Sequence, residues 1–271
     1  MKVYPCAKIN LGLYVTERRA DGYHNLETVF YPIPLCDELE VEISTADCLK
    51  LEGIQVEGPA EENLVMRVVS LLRNEGAAIP PLRIRLRKNI PSGAGLGGGS
   101  SDAAAMMKLL NEMCRLGLTE EEMERRVAKL GADCPFFIRC QPVFATGIGD
   151  CFTPVSLNLN GLYLLLVKPD DFVSTREAYA NITPQQPQQS LLQSIQRPIT
   201  EWSSLIGNDF EKSVFPLHPT VAAIKDNLYK QGALYAAMSG SGSSVFGLFK
   251  EKPAESMVTA YQQHFVFSAA L

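Results

Sequence analysis

Between residues 91 and 102 the chain reads Pro91, Ser92, Gly93, Ala94, Gly95, Leu96, Gly97, Gly98, Gly99, Ser100, Ser101 and Asp102, five glycines and three serines set between a strand pattern and a helix pattern. Upstream, Leu82, Ile84 and Leu86 alternate with Arg83, Arg85 and Arg87, the period of two of a strand with one buried face. Downstream, Ala103, Ala104, Ala105, Met106, Met107, Leu109, Leu110 and Met113 combine strong helix formers with a nearly continuous apolar surface, which predicts a buried helix. Its first turn is expected near Ser101 or Asp102, with unpaired N–H groups facing back into the loop. Glycines let such groups converge on an anion, and the helix dipole adds about half a positive charge at that end. A phosphate cradle accounts for this order better than a flexible linker, which does not sit between a regular strand and a buried helix.

Two familiar phosphate loops do not fit. A Walker A loop ends in Gly-Lys-Ser/Thr, whereas Gly99 runs into Ser100 with no lysine. Gly93, Gly95 and Gly98 satisfy the letter of GxGxxG, but the acidic residue that ends a second strand about 20 residues on is replaced by Arg115, Leu116, Gly117 and Leu118. The net charge of −5 argues against a general nucleic-acid or anionic-membrane binder. No apolar run reaches the roughly 18 residues of a membrane span, and Lys8 and Asn10 interrupt what could pass for a signal peptide. The seven cysteines, Cys6, Cys36, Cys48, Cys114, Cys134, Cys140 and Cys151, form no CxxC pair, so reduced thiols in a cytoplasmic protein are the simplest account.

The rest of the chain reads as α+β. Strands are expected over 3–15, 26–33, 39–43 and 162–167, with a turn at Asp21 and Gly22. Helical spacing marks 63–74, and Thr119 with Glu122 forms a capping box ahead of Met123, Val127 and Leu130, with Gly131 as the stop. A second cluster, Ser239, Gly240, Ser241, Gly242, Ser243 and Ser244, sits between two apolar runs. It reads as a hairpin that could also approach the ligand of the first loop. Pro184 to Gln189 reads as a mobile surface connection. The halves are expected to divide as 1–152 and 153–271.

Five segments together carry a resemblance: Ala7 to Leu11; Asp21, Gly22, Tyr23 and His24 with Leu26, Glu27 and Thr28; the glycine loop; Gly131 to Phe137; and Ser239 to Gly242. Through them the chain resembles the GHMP kinase superfamily of galactokinase, homoserine kinase, mevalonate kinase and phosphomevalonate kinase. Within it, the likeness is to the members acting on a cytidine-diphosphate-linked methylerythritol. One departure is Cys134, where valine is expected, an exchange of one small apolar residue for another.

The resemblance implies a two-domain α+β fold: an N-terminal glycine-loop βαβ domain, a C-terminal ferredoxin-like domain and an active site in the cleft. It implies ATP with Mg2+, bound by Pro91 to Ser101, and transfer of the γ-phosphoryl group to the substrate's 2-hydroxyl in the mevalonate-independent route to isoprenoids. Such enzymes mainly position groups and neutralise charge. Asp133 is expected to receive the hydroxyl proton, and Lys8 to act as the catalytic cation. Tyr23 and Tyr179 would sandwich the cytosine, His24 would read its edge, Asn10 would orient the sugar alcohol, and Thr175 would lie close by. Asn63 and Lys88 are placed at the nucleoside of ATP or, equally, as a helix cap and a strand-end charge, while His218 and His264 receive no role. Magnesium would arrive with ATP, touched by Ser100 or Ser101, and no Cys/His pattern marks a protein metal site. A monomer or weak homodimer without nucleic-acid or membrane partners is expected. The alternatives are a homoserine- or mevalonate-type kinase and, more distantly, a dinucleotide-binding protein.

Overall fold

The computed structural model describes residues 1–56 and 58–271, which fall into two compact units interleaved along the chain. The first comprises residues 1–7, 35–92 and 97–141; the second comprises 8–34, 93–96 and 142–271.

In the first unit a four-stranded sheet runs in the order Lys2–Val3, Glu38–Ile43, Leu82–Lys88, Cys48–Gly53. Its central strand is the one the alternation forecasts: Leu82, Ile84 and Leu86 are fully buried, and the three arginines point outward. Arg85 and Arg87 both bond Glu52, whose carboxyl is pulled down to about 2, first by Arg85 and then by Lys50 and Arg87. Strand Cys48–Gly53 was not foreseen. It pairs parallel with Leu82–Lys88, and the crossover between them carries helix Leu64–Asn74, as a parallel connection requires. That helix starts at the expected point, where the Asn63 side chain accepts from the N–H of Val65. The capping box of Thr119 and Glu122 is present, but helix Glu120–Val127 ends before Leu130, which lies in a turn leading to Gly131.

In the second unit the sheet order is Tyr235–Met238, Val245–Phe249, Tyr163–Lys168, Phe265–Ala270, antiparallel throughout. Numbered along the chain that order is 2-3-1-4, with helices after the first and third strands, the ferredoxin-like arrangement. Helices Thr175–Ala180, Phe210–Val214 and Pro219–Lys230 supply Ala178, Phe210, Val214, Val221, Ile224 and Leu228 to its core. A further sheet is led by two strands of 13 residues, Cys6–Arg18 and His24–Cys36, followed by Val143–Thr146 and Cys151–Pro154. From Ala7 to Leu13 the first of these strands is buried without alternation, so a polar side chain there must find partners inside the protein. No helix of the described residues is long and apolar enough to cross a membrane.

Candidate active site

The approach to the glycine loop is held by a buried ionic cluster. Strand Leu82–Lys88 ends on Lys88, only 3% exposed, whose ammonium bonds the carboxylate of Asp37 and lies 2.5 Å from Oδ2 of Asp102. Asp37 also accepts from the backbone N–H groups of Asn89 (2.5 Å) and Ile90 (2.8 Å), which pins the chain as it leaves the strand. Burial pushes the Asp102 carboxyl up to about 7; Lys88 opposes this shift and the neighbouring Asp37 adds to it. For Lys88 burial disfavours the charge, yet the two carboxylates outweigh it and raise its pKa. Asp102 Oδ1 is buried with no hydrogen-bond partner among the described residues. Asp102, Lys88, Asn63, Ser92 and Gly99 line one cavity of about 230 Å³, so the two residues assigned to the nucleoside do share a pocket wall.

The helix after the loop begins at Gly98, ahead of the expected start near Ser101. A Cβ on Gly98 would lie 2.9 Å from Ile90 Cγ2, so that glycine serves a tight helical contact rather than loop freedom. Gly97 provides the N-cap in a left-handed conformation (φ 71°). The ladder opens with Ser101 N–H donating to Gly97 O at 2.9 Å, leaving the N–H groups of Gly98, Gly99 and Ser100 ahead of it. A Cβ on Gly131 would come 3.3 Å from Cys134 Sγ and 3.9 Å from Ser100 Oγ. The segment containing half-buried Asp133 therefore lies against the first turn of the glycine-loop helix.

In the second unit Lys8 is 4% exposed, its Nζ donating to Asn10 Oδ1 at 2.6 Å and lying 4.8 Å from the centre of the Phe30 ring. The N–H of Lys8 donates to Leu96 O at 3.0 Å, tying this strand to the glycine loop. Asn10 is 2% exposed; its Nδ2 donates to Thr28 Oγ1 (2.9 Å), which in turn donates to Gly12 O (2.6 Å). Both ends of the Asn10 amide are thus engaged within the protein. The second glycine-serine cluster is a hairpin loop that also braces the first: Ser239 Oγ donates to Gly95 O at 2.8 Å and accepts from the N–H of Asn10 at 3.2 Å. A Cβ on Gly95 would sit 1.9 Å from Ser239 O, and its φ of 75° independently favours glycine.

Of the expected base-binding residues, the structure joins His24 to Tyr179, stacked with centroids 4.9 Å apart and planes 20° from parallel. Tyr179 also meets Phe210 edge-on at 4.7 Å. Tyr23 belongs to the turn before strand His24–Cys36 and is 62% exposed. Thr175 is exposed at the start of helix Thr175–Ala180, which the Ser174 hydroxyl caps.

Several contributors escaped sequence reading. His218 sets Nδ1 3.2 Å from Asp171 Oδ1 and Nε2 3.1 Å from Glu177 Oε1, a double contact that only the imidazolium can donate to on both sides. Burial works against that charge, but the bonds to Glu177 and Asp171 outweigh it and raise the pKa. Asn208 Nδ2 donates to the carbonyls of Met238 (2.8 Å) and Gly240 (2.9 Å), holding the second loop, while Asp209 accepts from the N–H of Val15 (2.9 Å). The Asn-Asp pair ahead of a helix pattern was the one available signal for these two.

Residues 63–141 match the family described as GHMP kinases N terminal domain, and residues 190–266 match GHMP kinases C terminal. The chain is 55% identical over 268 residues to the 4-diphosphocytidyl-2-C-methyl-D-erythritol kinase of Parabacteroides distasonis, covering 99% of this chain and 96% of that protein. It is 57% identical over 253 residues to the enzyme of the same name from Bacteroides fragilis, covering 92% of each. A crystal structure of 4-(cytidine 5'-diphospho)-2C-methyl-D-erythritol kinase superposes with a TM-score of 0.81 at 31% identity, over 99% of this chain and 98% of that one. Lactococcus lactis galactokinase, solved with galactose, shares the fold at a TM-score of 0.66 and 13% identity, over 100% of this chain and 93% of that one. The chain belongs to the GHMP kinases and, within them, to the 4-diphosphocytidyl-2-C-methyl-D-erythritol kinase family.

Proposed function

We propose that this kinase transfers the γ-phosphoryl group of ATP to the 2-hydroxyl of 4-diphosphocytidyl-2-C-methyl-D-erythritol, a step in the mevalonate-independent route to isoprenoids. The observation that carries the substrate assignment is the stacked pair of His24 and Tyr179. A flat aromatic surface suits a pyrimidine, and homoserine or mevalonate has no ring to lay on it. The names of the relatives support the same reading.

On this reading the phosphates of ATP meet the N–H groups of Gly98, Gly99 and Ser100 within the cradle 91–101, and the nucleoside enters the cavity of Asn63 and Lys88. Asp133 takes the proton of the acceptor hydroxyl. Lys8 offsets charge on the transferring oxygens, and Asn10, whose Oδ1 receives the Lys8 ammonium, orients the sugar alcohol by way of that lysine. His24 and Tyr179 bind the cytosine, with Tyr23 free to close over it from its turn and Thr175 beside the substrate. Magnesium, when bound, shields the phosphate charges. Ser100 and Ser101 offer the hard hydroxyl oxygens that such an ion accepts alongside phosphate and water. As sequence domains we assign 1–152 and 153–271; the two family regions fall one on each side of that boundary, although residues 8–34 pack with the later ones. We place the enzyme in the cytoplasm, in keeping with seven free cysteines, as a monomer or weak homodimer.

ADP release measured with 4-diphosphocytidyl-2-C-methyl-D-erythritol, homoserine, mevalonate and galactose tests the assignment. The cytidyl-linked alcohol is expected to exceed the others in kcat/KM by about 10⁴-fold, the discrimination available when base contacts are satisfied or lost. Equal turnover of any of the smaller alcohols would overturn it.

A further inference from the structure

Cys6 opens strand Cys6–Arg18, and Cys140 closes the short helix Phe136–Arg139 in a left-handed conformation (φ 53°). Their sulfurs lie 2.8 Å apart although the residues are 134 positions apart in the chain. The two thiols are in direct contact, either able to donate to the other, and their surroundings decide which of them is the more acidic. The bond from Cys6 holds the Cys140 thiol below its ordinary value, and Lys108 pulls the same way against burial. The Cys6 thiol is raised, first by that bond and then by burial. Both residues are half-buried and line a cavity of about 270 Å³ together with Ser101, Ala105, Lys108 and Phe137. A small oxidant therefore has room beside the more acidic sulfur. Nothing in the phosphoryl-transfer reading uses this pair.

We infer that Cys6 and Cys140 form a modification site, a dithiol that hydrogen peroxide closes to an intrachain disulfide, with Cys140 attacking and Cys6 resolving. The Cys140 thiolate attacks one peroxide oxygen, the O–O bond breaks, and the departing hydroxide takes a proton to become water. The Cys6 sulfur then attacks the resulting sulfenic acid at Cys140, the S–O bond breaks, and the hydroxide leaves with the Cys6 proton as a second water. Two thiols lose two electrons in all, and one peroxide becomes two waters. Cys36, whose pKa is raised by burial first and also by Cys140, is the competing thiol.

The test treats the intact enzyme with hydrogen peroxide, blocks remaining thiols with iodoacetamide and maps peptides without reduction. A Cys6–Cys140 peptide lighter by two hydrogens, reversed by dithiothreitol, is expected. Cys6→Ser should leave Cys140 as a sulfenic acid captured by dimedone, whereas Cys140→Ser should slow oxidation of Cys6 about tenfold or more. A linked peptide containing Cys36, or equal dimedone labelling of Cys6 with and without Cys140, would overturn the assignment. So would a Cys140 that stays reduced while exposed Cys48 and Cys151 oxidise. Because the readout is mass, the outcome does not depend on which alcohol the enzyme phosphorylates.

Discussion

Lys8 is a cation almost closed to water, and its environment is built to keep it in place: an amide oxygen at 2.6 Å, an aromatic face at 4.8 Å and its own N–H bonded to Leu96. Taking such a charge out of water is costly, and these contacts offset part of that cost. Lys8→Met and Asp133→Asn should each lower kcat by about 10²–10⁴-fold, the range for loss of one acid-base or charge-stabilising group. Binding of a non-hydrolysable ATP analogue, measured calorimetrically, should remain close to wild type in both; a variant with normal turnover removes its residue from the mechanism. Asp102 carries a different prediction. Its carboxyl titrates at about 7 in the fold against an ordinary 3.8, so between those values the folded state holds a proton that the unfolded state has released. The stability it contributes is complete below about 3.8 and is lost as pH rises through about 7. Asp102→Asn keeps an acceptor for Lys88 but cannot titrate. Urea unfolding should therefore show wild-type stability declining relative to the variant from pH 4 to 7, and parallel profiles would refute the buried titration.

At the scale of elements, the glycine loop is shaped by what touches it. Gly95 and Gly22 both have positive φ, 75° and 88°, but a Cβ on Gly95 collides with Ser239 O whereas one on Gly22 meets nothing within 4 Å. Gly22→Ala should cost only the roughly 1–2 kcal/mol of a left-handed alanine, whereas Gly95→Ala should cost more and raise the KM for ATP about tenfold. Chemical denaturation and initial rates measure both, and equal costs would contradict the bracing role of Ser239. Helix Thr175–Ala180, which carries Tyr179, is tied through Glu177 to His218, whose other ring nitrogen faces Asp171. Because the His218 pKa is raised, this support is complete below the ordinary value of 6.5 and is lost as pH rises through the folded one. Hydrogen exchange in that helix, corrected for intrinsic rates, should quicken above that point in wild type and be uniformly fast in His218→Gln; a pH-independent difference would mean the histidine only packs. Much of this architecture could be read in advance where the signal is local, as in the alternation of Leu82 to Arg87 or the caps at Asn63 and Thr119. Long-range contacts were hidden. Lys88 could equally be read as a strand-end charge because one of its two carboxylates, Asp37, lies 51 residues away, and the need for glycine at 98 comes from Ile90, distant in pattern but pressed on that position. Strand Cys48–Gly53 carries a short alternation of Leu49 and Leu51 with Lys50 and Glu52, but nothing local tells that its partner is the parallel strand Leu82–Lys88.

For the whole molecule, the fold itself is uninformative about the acceptor: galactokinase adopts it at 13% identity while bound to a plain sugar. What narrows the acceptor is the 55% identity to a kinase named for the cytidyl-linked alcohol, and the proposed reading adds the stacked pair of His24 and Tyr179. The most direct measurement is phosphorus NMR of a reaction containing ATP, magnesium and 4-diphosphocytidyl-2-C-methyl-D-erythritol. The account predicts one new monophosphate ester at the 2-position, formed mole for mole with ADP while the diphosphate resonances of the substrate persist. Inorganic phosphate with ADP and no new ester, or a phosphate placed on another hydroxyl, would contradict it.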